Sequence, residues 1–404
     1  MTAQTTQKRI LLGLTGGIAA YKSALLVRLL VKAGYDVRVA MTESACRFIT
    51  PVTLQALSGQ TVWTDLWDPR IPDNMGHIEL SRDRDLIVVA PASANFMAKV
   101  VHGAAEDLLS TTCLARDCPL MLAPAMNRQM WDNPATQRNA AQLRKDGVLF
   151  AGPGAGEQAC GETGLGRMLE PEEIFEEIEA FFQPKSLAGR SVLVTAGPTI
   201  EPIDPVRGIT NASSGKMGYA VARAARQAGA RVTLVSGPTA LAAPAGVTRI
   251  NVQTAQQMFD AVKKQVPSVD VFVAVAAVAD YRVASQAPQK IKKGASKGMT
   301  LELVENPDIL GYVAKLPKAP FCVGFAAETE KLAVHAREKR AKKKIPLLAA
   351  NLAQHALGAD DNEITLYDDQ GEHPLGRGSK HEQARKLVAH IATLLPGAKR
   401  RGRG

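Results

Sequence analysis

The sequence has little of what marks a secreted, membrane-spanning or metal-knuckle protein. Only five of its 404 residues are cysteine, and no two form a CxxC pair, which argues against a zinc knuckle or a disulfide framework. The longest apolar runs, 86–91 and 271–279, have the length of strands and fall far short of a membrane span. Residues 1–8 are polar and lack the apolar core of a signal peptide. These absences predict a cytoplasmic protein with no membrane partner.

Aromatic residues are also scarce, at 5% of the chain, and this affects how the net charge of +10 is interpreted. Proteins that bind nucleic acid combine basic patches with aromatic side chains on which bases stack. Here much of the excess charge lies in three short segments, 290–297, 337–344 and 399–403. Small anionic ligands, such as nucleotides and phosphorylated substrates, explain such clusters as well as a polynucleotide would. A nucleic-acid partner is therefore not expected, although the basic C-terminus leaves that alternative open.

The pattern of apolar segments predicts two α/β domains. A strand, a glycine-rich turn, a helix at 19–32 and a second strand open the chain, and the same order restarts at Ser191. The segments KAGYDVRVAMT and QAGARVTLVSG match in their helix end, glycine cap and following strand. Strands that alternate with helices predict two doubly wound, Rossmann-like parallel sheets. A polar, proline-containing linker at 183–186 separates a domain at 1–184 from a domain at 187–404.

Several features of the first half predict a ligand at the carboxyl edge of its sheet. Gly13, Gly16 and Gly17 lie between a strand and a helix, where the backbone can approach a phosphate closely. The spacing is not GxGxxG, so a single phosphate, as in FMN, fits better than a dinucleotide. Two further strands run into short polar segments at 91–95 and 124–127, at the edge where doubly wound sheets bind ligands.

Two isolated residues of the first half have more than one interpretation. His77 precedes a charged stretch, and a lone histidine is more often structural than catalytic. Cys160 lies in the glycine-rich segment QACGETG, which is unlike the surroundings of a core cysteine. It could be an acid, a nucleophile or a surface thiol.

The motifs TGGIAAYK, APASAN, GHIEL, PAMN and ACGE, in this order, resemble those of the flavin-dependent cysteine decarboxylases, a family with a flavodoxin-like fold. The resemblance covers the whole first half and implies bound FMN. It implies that His77 is catalytic, that Asn127 holds the substrate carboxylate and that Cys160 donates a proton. The residues that it implies for FMN are Gly16, Gly17, Thr42, Ser93, Ala94, Asn95, Phe96 and Ala125.

The chemistry of decarboxylation explains why such an enzyme needs a flavin. A carboxylate leaves only if its electron pair has somewhere to go, and a cysteinyl carboxylate offers no such sink. The resemblance implies that FMN oxidises the CH₂–SH group to a thioaldehyde, so that the electron pair left by CO₂ delocalises onto sulfur. The electrons and a proton then return, and no external electron acceptor is required.

The second half lacks the P-loop motif GxxxxGK[ST], because Met217 stands where the motif needs Ser or Thr. The segment 211–215 offers hydrogen-bond donors at a helix start, although Ser213 or Ser214 as a simple N-cap is an adequate explanation. Asp280 follows a buried strand and could bind a ribose or a magnesium-bound phosphate.

The motifs ITNASSGKMG, AAVADYR, KIKK, ENPDI, VGFAAET and KRAKKK resemble the ligase half of the bacterial coenzyme A biosynthesis bifunctional proteins. That resemblance implies that CTP and Mg²⁺ activate 4′-phosphopantothenate as an acyl-cytidylate, which the amine of cysteine then attacks. The first half would decarboxylate the product. Asn211 and Lys290 are implied for the chemical step, while the Mg²⁺ ligands stay unassigned. The residues that it implies for CTP are Asp280, Lys290, Asn306, Pro307, Asp308, Ile309, Phe325, Lys339 and Lys343.

The resemblance further implies a homo-oligomer, in which decarboxylase trimers and ligase dimers build a dodecamer. Two other functions remain open for the first half. One is a flavoprotein of the same fold that transfers a prenyl group or decarboxylates another substrate. The other is a regulatory subunit that binds FMN without catalysis, against which the presence of both His77 and Cys160 argues.

Overall fold

The structure is a computed structural model that describes residues 7–68, 75–159, 161–292, 299–328, 330, 332–352 and 361–397. The chain forms two compact units, residues 1–179 and 180–404. Within the described part of the chain, no helix combines the length and the apolar character that crossing a membrane requires.

The first unit is built on a six-stranded parallel sheet with the order β3-β2-β1-β4-β5-β6. Its strands are β1 (Arg9–Leu14), β2 (Asp36–Met41), β3 (Val62–Trp63), β4 (Leu86–Ala92), β5 (Leu120–Pro124) and β6 (Leu149–Phe150). A separate antiparallel hairpin consists of β7 (Gly154–Glu157) and β8 (Thr163–Arg167). Every residue of β4 is buried, as expected for a parallel strand covered by helices on both faces.

Nine helices are found in the described residues up to 182, most of them packed on this sheet. They are α1 (Ala20–Lys32), α2 (Glu43–Cys46), α3 (Pro51–Ser58), α4 (Gly76–Ser81), α5 (Ala94–His102), α6 (Leu108–Ala115), α7 (Arg128–Asp132), α8 (Pro134–Lys145) and α9 (Pro171–Phe182). Local chemistry sets several of their starts. Asp107 and Ser110 form a capping box at α6, and Pro134 fills the first position of α8.

The second unit has an eight-stranded sheet with the order β13-β12-β9-β14-β17-β18-β19-β20. Its strands are β9 (Ser191–Ala196), β12 (Arg231–Ser236), β13 (Thr248–Asn251), β14 (Val271–Ala274), β17 (Phe321–Glu328), β18 (Leu347–Leu352), β19 (Asp361–Asp368) and β20 (Gly371–Ser379). The first six in this order are parallel, and β19 and β20 add an antiparallel hairpin. Two small antiparallel pairs are formed by β10 (Ile200–Pro202) with β11 (Gly208–Thr210), and by β15 (Tyr281–Val283) with β16 (Leu303–Glu305).

The described helices of the second unit are α10 (Lys216–Gln227), α11 (Ala255–Gln265), α12 (Ile309–Ala314), α13 (Leu332–Lys343) and α14 (Lys380–Leu394), with a 3₁₀ turn at Val266–Ser268. Helices α10 and α14 pack together over one face of the sheet, where Tyr219, Val221, Leu387 and Ile391 are buried. The other face is covered by α11, α12 and α13.

The prediction of two doubly wound α/β domains is confirmed, since the six parallel strands follow the same order in both sheets. One strand is shorter than the sequence predicts: the apolar run to Ala277 leaves the sheet after Ala274. The backbone then turns toward the start of the unit, where Ala276 N–H donates to Thr195 Oγ1 and Ala277 N–H to the Gly197 carbonyl. The end of this run therefore lines a cavity instead of extending the strand.

Candidate active sites

A cavity of about 710 Å³ lies at the carboxyl ends of β1, β4 and β5 in the first unit. The strand order reverses between β1 and β4, which is where doubly wound sheets bind ligands. The residues of the sequence prediction that line it are Gly16, Gly17, Ser93, Ala94, Ala125 and Asn127. Its apolar walls come from Ile18, Met126, Met130 and Met168.

The start of α1 gives this cavity the character of an anion site. Ala19 is the N-cap of this 13-residue helix and makes no side-chain cap, while the N–H groups of Ala20 and Lys22 donate to the Gly17 and Ala19 carbonyls at 3.0 Å. The helix dipole and the glycine turn, and not a full set of free N–H groups, are therefore what favours an anion here. A Cβ atom on Gly16 would lie 2.6 Å from the Cβ of Ser44, which explains why glycine is needed there. Thr15 links the turn to the neighbouring strand β4. Its Oγ1 donates to the Pro91 carbonyl at 2.7 Å and accepts from Ser93 N–H at 3.0 Å.

Asn127 lines the same cavity and uses its two amide atoms differently. Its Oδ1 caps α7 by accepting the N–H of Met130 at 2.9 Å. Its Nδ2 donates to Gln129 Oε1 at 2.9 Å. The Nδ2 group is therefore the one that could turn to a substrate carboxylate while the cap stays in place.

The ion pairs that Glu170 forms with Lys22 and Arg167 at this cavity are missing from the sequence prediction. Lys22 is 5% exposed, and its Nζ donates to the Met168 carbonyl at 3.1 Å and to Glu170 Oε1 at 2.9 Å. Burial alone would raise the pKa of Glu170, but the hydrogen bond and charge of Lys22, with Arg167, lower it. A lysine on the apolar face of the helix predicted at 19–32 was the available signal.

Among the described residues, four that were predicted for the first site do not line the cavity. The ring of Phe96 is 2% exposed and packs in the core of the unit, and its contact with FMN stays a prediction. Asn95 is exposed on α5, and Thr42 caps α2 by accepting the N–H of Ala45. His77 lies on α4, and among the described residues its buried Nδ1 has no hydrogen-bond partner. Cys160 lies outside the described residues, so its role stays a prediction.

A second cavity, of about 560 Å³, lies beyond the carboxyl end of β14 in the second unit. It draws its lining from five separate stretches of the chain. Eight of the nine residues predicted for CTP line it: Asp280, Asn306, Pro307, Asp308, Ile309, Phe325, Lys339 and Lys343.

Hydrogen bonds among these residues hold the walls together. The N–H of Asn306 donates to the Asp280 carbonyl at 2.8 Å, and its Nδ2 donates to the Ala279 carbonyl at 2.8 Å. Asp308 caps α12 by accepting the N–H of Gly311 at 2.9 Å and forms an ion pair with Lys343. Burial would raise the pKa of Asp308, but Lys343 and the cap lower it, so the carboxylate is charged at neutral pH.

A third cavity, of about 350 Å³, adjoins the second at the start of α10. The two share Ala276, Val278, Phe325 and Lys339, so Lys339 faces both spaces. Gly215 is the N-cap of α10, with φ +76° and no side-chain cap, which leaves the first N–H groups of a 12-residue helix open. Polar side chains that line this cavity include Ser213, Ser214, Asn351, Asn362 and Lys380.

Lys290 and Asn211, which were predicted for the chemical step, line neither cavity. Lys290 is exposed, and the residue after it is held elsewhere: Ile291 N–H donates to Asp204 Oδ2 at 3.1 Å, and Arg207 donates to its carbonyl at 3.1 Å. Asn211 Nδ2 donates to the carbonyl of Ala277 at 3.0 Å, and Ala277 lines the third cavity. Asn211 itself stands two residues before Ser213, another residue of that lining. Their roles stay predictions.

Comparison with known proteins finds a separate family match for each half of the chain. A family model described as Flavoprotein matches residues 1–183, and one described as DNA/pantothenate metabolism flavoprotein C-terminal domain matches residues 187–395. The coenzyme A biosynthesis bifunctional protein CoaBC of Vibrio vulnificus strain YJ016 is 52% identical over 393 residues, 96% of this chain and 98% of the relative. The Escherichia coli K12 protein of the same name is 48% identical over 401 residues, 98% of this chain and 99% of that one.

Among solved structures, the crystal structure of the C-terminal domain of a coenzyme A biosynthesis bifunctional protein CoaBC is 39% identical. It covers 52% of this chain and 97% of that chain, with a TM-score of 0.45. The near-complete coverage of the two relatives and the two family matches leave one conclusion. The chain belongs to the family of coenzyme A biosynthesis bifunctional proteins, as its sequence motifs predicted.

Proposed function

We propose that the second unit couples 4′-phosphopantothenate to cysteine with CTP, and that the first unit decarboxylates the product with FMN. Family membership supports a decarboxylase and a ligase of coenzyme A biosynthesis in one chain. The observation that carries the finer assignment is the convergence of eight predicted CTP residues, from separate stretches, on one cavity. We infer that the two domains are 1–184 and 187–404, and that the enzyme works as a cytoplasmic homo-oligomer.

The residues of the first cavity fit FMN. The glycine turn at the start of α1 suits its single phosphate, and the apolar walls suit its ring. FMN, when bound, supplies the two-electron oxidation and reduction that stabilise the carbanion left by CO₂. Asn127 orients the departing carboxylate with its Nδ2 group. Cys160 donates the proton that completes 4′-phosphopantetheine, and His77 takes part in proton transfer.

In the second unit, the cations of α13 suit the triphosphate of CTP. Lys339 and Lys343 line the second cavity, where they neutralise charge that builds on the phosphates. Asp280 and Glu305 add carboxylate oxygens, the ligands that Mg²⁺ prefers, or they bind the ribose. These residues would hold Mg²⁺ at the edge of the nucleotide site.

The third cavity suits the acid that the nucleotide activates, because it adjoins the second and ends on the open start of α10. A carboxylate oxygen of 4′-phosphopantothenate attacks the α-phosphorus of CTP, and pyrophosphate leaves. The amine of cysteine then attacks the acyl carbon, and CMP leaves. Lys290 and Asn211 assist these steps, and Lys339 lies between the two reactants.

The two half-reactions can be tested separately on the purified full chain. A flavin absorption spectrum is expected, together with CO₂ release from 4′-phosphopantothenoylcysteine without any nucleotide. A second assay, with 4′-phosphopantothenate, cysteine, CTP and Mg²⁺, should release pyrophosphate. ATP in place of CTP tests nucleotide choice.

Two variants test the assigned roles, and in each the unaffected reaction serves as the internal control. Lys290→Gln should abolish pyrophosphate release and leave decarboxylation intact. Cys160→Ser should stall after CO₂ loss, releasing an oxidised enethiol, and leave the ligase intact. Equal loss of both activities in Lys290→Gln, or normal turnover by Cys160→Ser, would overturn the assigned roles.

A further inference from the structure

Three side chains at the far edge of the second unit form a cluster that neither proposed reaction uses. Asp368 ends β19, His373 lies on β20 and His390 lies on α14. Their nearest nitrogen and oxygen atoms all lie within 4.8 Å of one another. His373 Nε2 is 2.9 Å from Asp368 Oδ1, and His390 Nε2 is 2.8 Å from Asp368 Oδ2. The two imidazole rings stand 4.6 Å apart between centroids.

The backbone fixes the carboxylate of Asp368 in place. Its Oδ1 accepts the N–H groups of Gln370 at 2.8 Å and Gly371 at 3.1 Å, within the turn between β19 and β20. Its side chain is 2% exposed, while His373 is 32% exposed. The cluster is thus rigid on its carboxylate side and open to solvent on its imidazole side.

The neighbouring charges do not compete for this cluster. Asp369 forms an ion pair with Arg340, and Glu372 forms one with Arg337. The two arginines belong to α13, so these carboxylates are turned away from the histidines. Asp368 Oδ2 and the two imidazole nitrogens remain as a set of three ligands.

We propose that Asp368, His373 and His390 bind a divalent first-row transition-metal ion such as Zn²⁺, with water as the fourth ligand. Imidazole nitrogen with one carboxylate oxygen is a donor set that zinc, cobalt and nickel accept and that Mg²⁺ does not favour. Metal bonds of about 2.0–2.1 Å at tetrahedral angles place neighbouring ligand atoms about 3.4 Å apart. Asp368 Oδ2 and His390 Nε2, now 2.8 Å apart, need to open by only about half an ångström to reach that value, and the ligand atoms of all three residues already lie within 4.8 Å of one another.

The ion would cross-link three elements, β19, β20 and α14. It would fix the β19–β20 hairpin to this helix at the edge of the sheet opposite β13. The Oδ1 hydrogen bonds would orient the ligating carboxylate, as outer-shell partners do in known metal sites. The site is separate from the Mg²⁺ proposed for the nucleotide cavity.

The test uses the full chain without an affinity tag, stripped of metal with a chelator and then desalted. Zn²⁺ is titrated in against a competing chromophoric chelator with excess Mg²⁺ present, and Co²⁺ is titrated separately by visible absorption. We expect one equivalent of tight binding and a tetrahedral cobalt spectrum without thiolate charge-transfer bands. His373→Gln and His390→Gln should each weaken zinc binding by at least about tenfold.

His102→Gln is the matched control, since His102 is an exposed histidine on α5 of the first unit. It should bind zinc like the parent chain. Asp368→Asn is a second variant that keeps an acceptor for Gln370 and Gly371, and it should also lose zinc affinity. Zinc affinity unchanged in all three cluster variants, a thiolate cobalt spectrum, or no stoichiometric binding would overturn the proposal. The readout is metal binding, so it is independent of either enzymatic activity.

Discussion

Asn127 caps α7 with its Oδ1 atom and also lines the first cavity, and Asn127→Asp separates the cap from a role of its Nδ2 group in substrate binding. The carboxylate keeps an acceptor for the N–H of Met130 but replaces the Nδ2 donor with negative charge. A charged hydrogen bond contributes about 1.5–3 kcal/mol, so kcat/KM for decarboxylation should fall by about 10- to 100-fold.

A similar change elsewhere provides the control for this prediction. Asn133 caps α8 in the same way, through the N–H of Ala135 at 2.9 Å, but it is exposed and outside the cavity lining. Asn133→Asp should leave decarboxylation unchanged. Equal kinetics for the two variants would show that Asn127 acts only as a cap.

His381, on α14, makes the second unit sensitive to acid. Burial, together with the charges of Arg385 and Arg223, lowers the pKa of His381 from 6.5 to about 4, and its buried Nδ1 has no partner among the described residues. As the pH falls, the unfolded chain takes up the proton at His381 before the folded chain does, so His381 does not lower the unfolding free energy above pH 6.5. The unfolding free energy falls as the pH drops from 6.5 toward 4, with an upper bound of roughly 3 kcal/mol.

Unfolding by urea at pH 7, 6 and 5 measures this effect. Circular dichroism is the suitable signal, because all three tryptophans lie in the first half of the chain. His381→Gln should flatten the loss of unfolding free energy between pH 6.5 and 5, while His102→Gln should not. Parallel pH profiles for the parent and His381→Gln would contradict the prediction.

At the scale of elements, α13 brings positive charge to the nucleotide site. Lys339 faces both cavities from this helix, whereas Lys344 is exposed just beyond its end. Lys339→Gln should raise the KM for CTP by about tenfold, because a charge-assisted contact to phosphate is lost. Lys344→Gln should leave it unchanged. Initial rates of pyrophosphate release over a CTP series measure both, and a normal KM in Lys339→Gln would place the triphosphate elsewhere.

Elements with strong local signals could be predicted from the sequence, and others could not. The sequence predicts helices at 134–145 and 171–182, each with a proline at its first position, and the structure has helices with these bounds. The hairpin β7–β8 was missed because its glycine-rich strands carry no alternation of apolar and polar residues. The burial of Phe96 outside the cavity lining could not be predicted, because a motif gives the order of residues but not the direction in which a side chain points.

At the scale of the whole chain, the two units repeat one parallel strand order and each has a cavity at the carboxyl edge of its sheet. The sequence predicted this repeat from matching helix ends and strands. It also predicted eight lining residues of the second cavity and six of the first, because these residues follow strand ends in the motifs. Tertiary packing alone decides the rest: Lys22 reaches Glu170 across 148 residues, and Lys290 stays outside the nucleotide cavity.

The most direct test of the account is the stoichiometry of the complete reaction. The purified chain is incubated with 4′-phosphopantothenate, cysteine, CTP and Mg²⁺, and the products are quantified by mass spectrometry. The account predicts 4′-phosphopantetheine, CO₂, CMP and pyrophosphate in equal amounts. A chain that binds flavin but forms none of these products, or that forms 4′-phosphopantothenoylcysteine without decarboxylating it, would contradict the account.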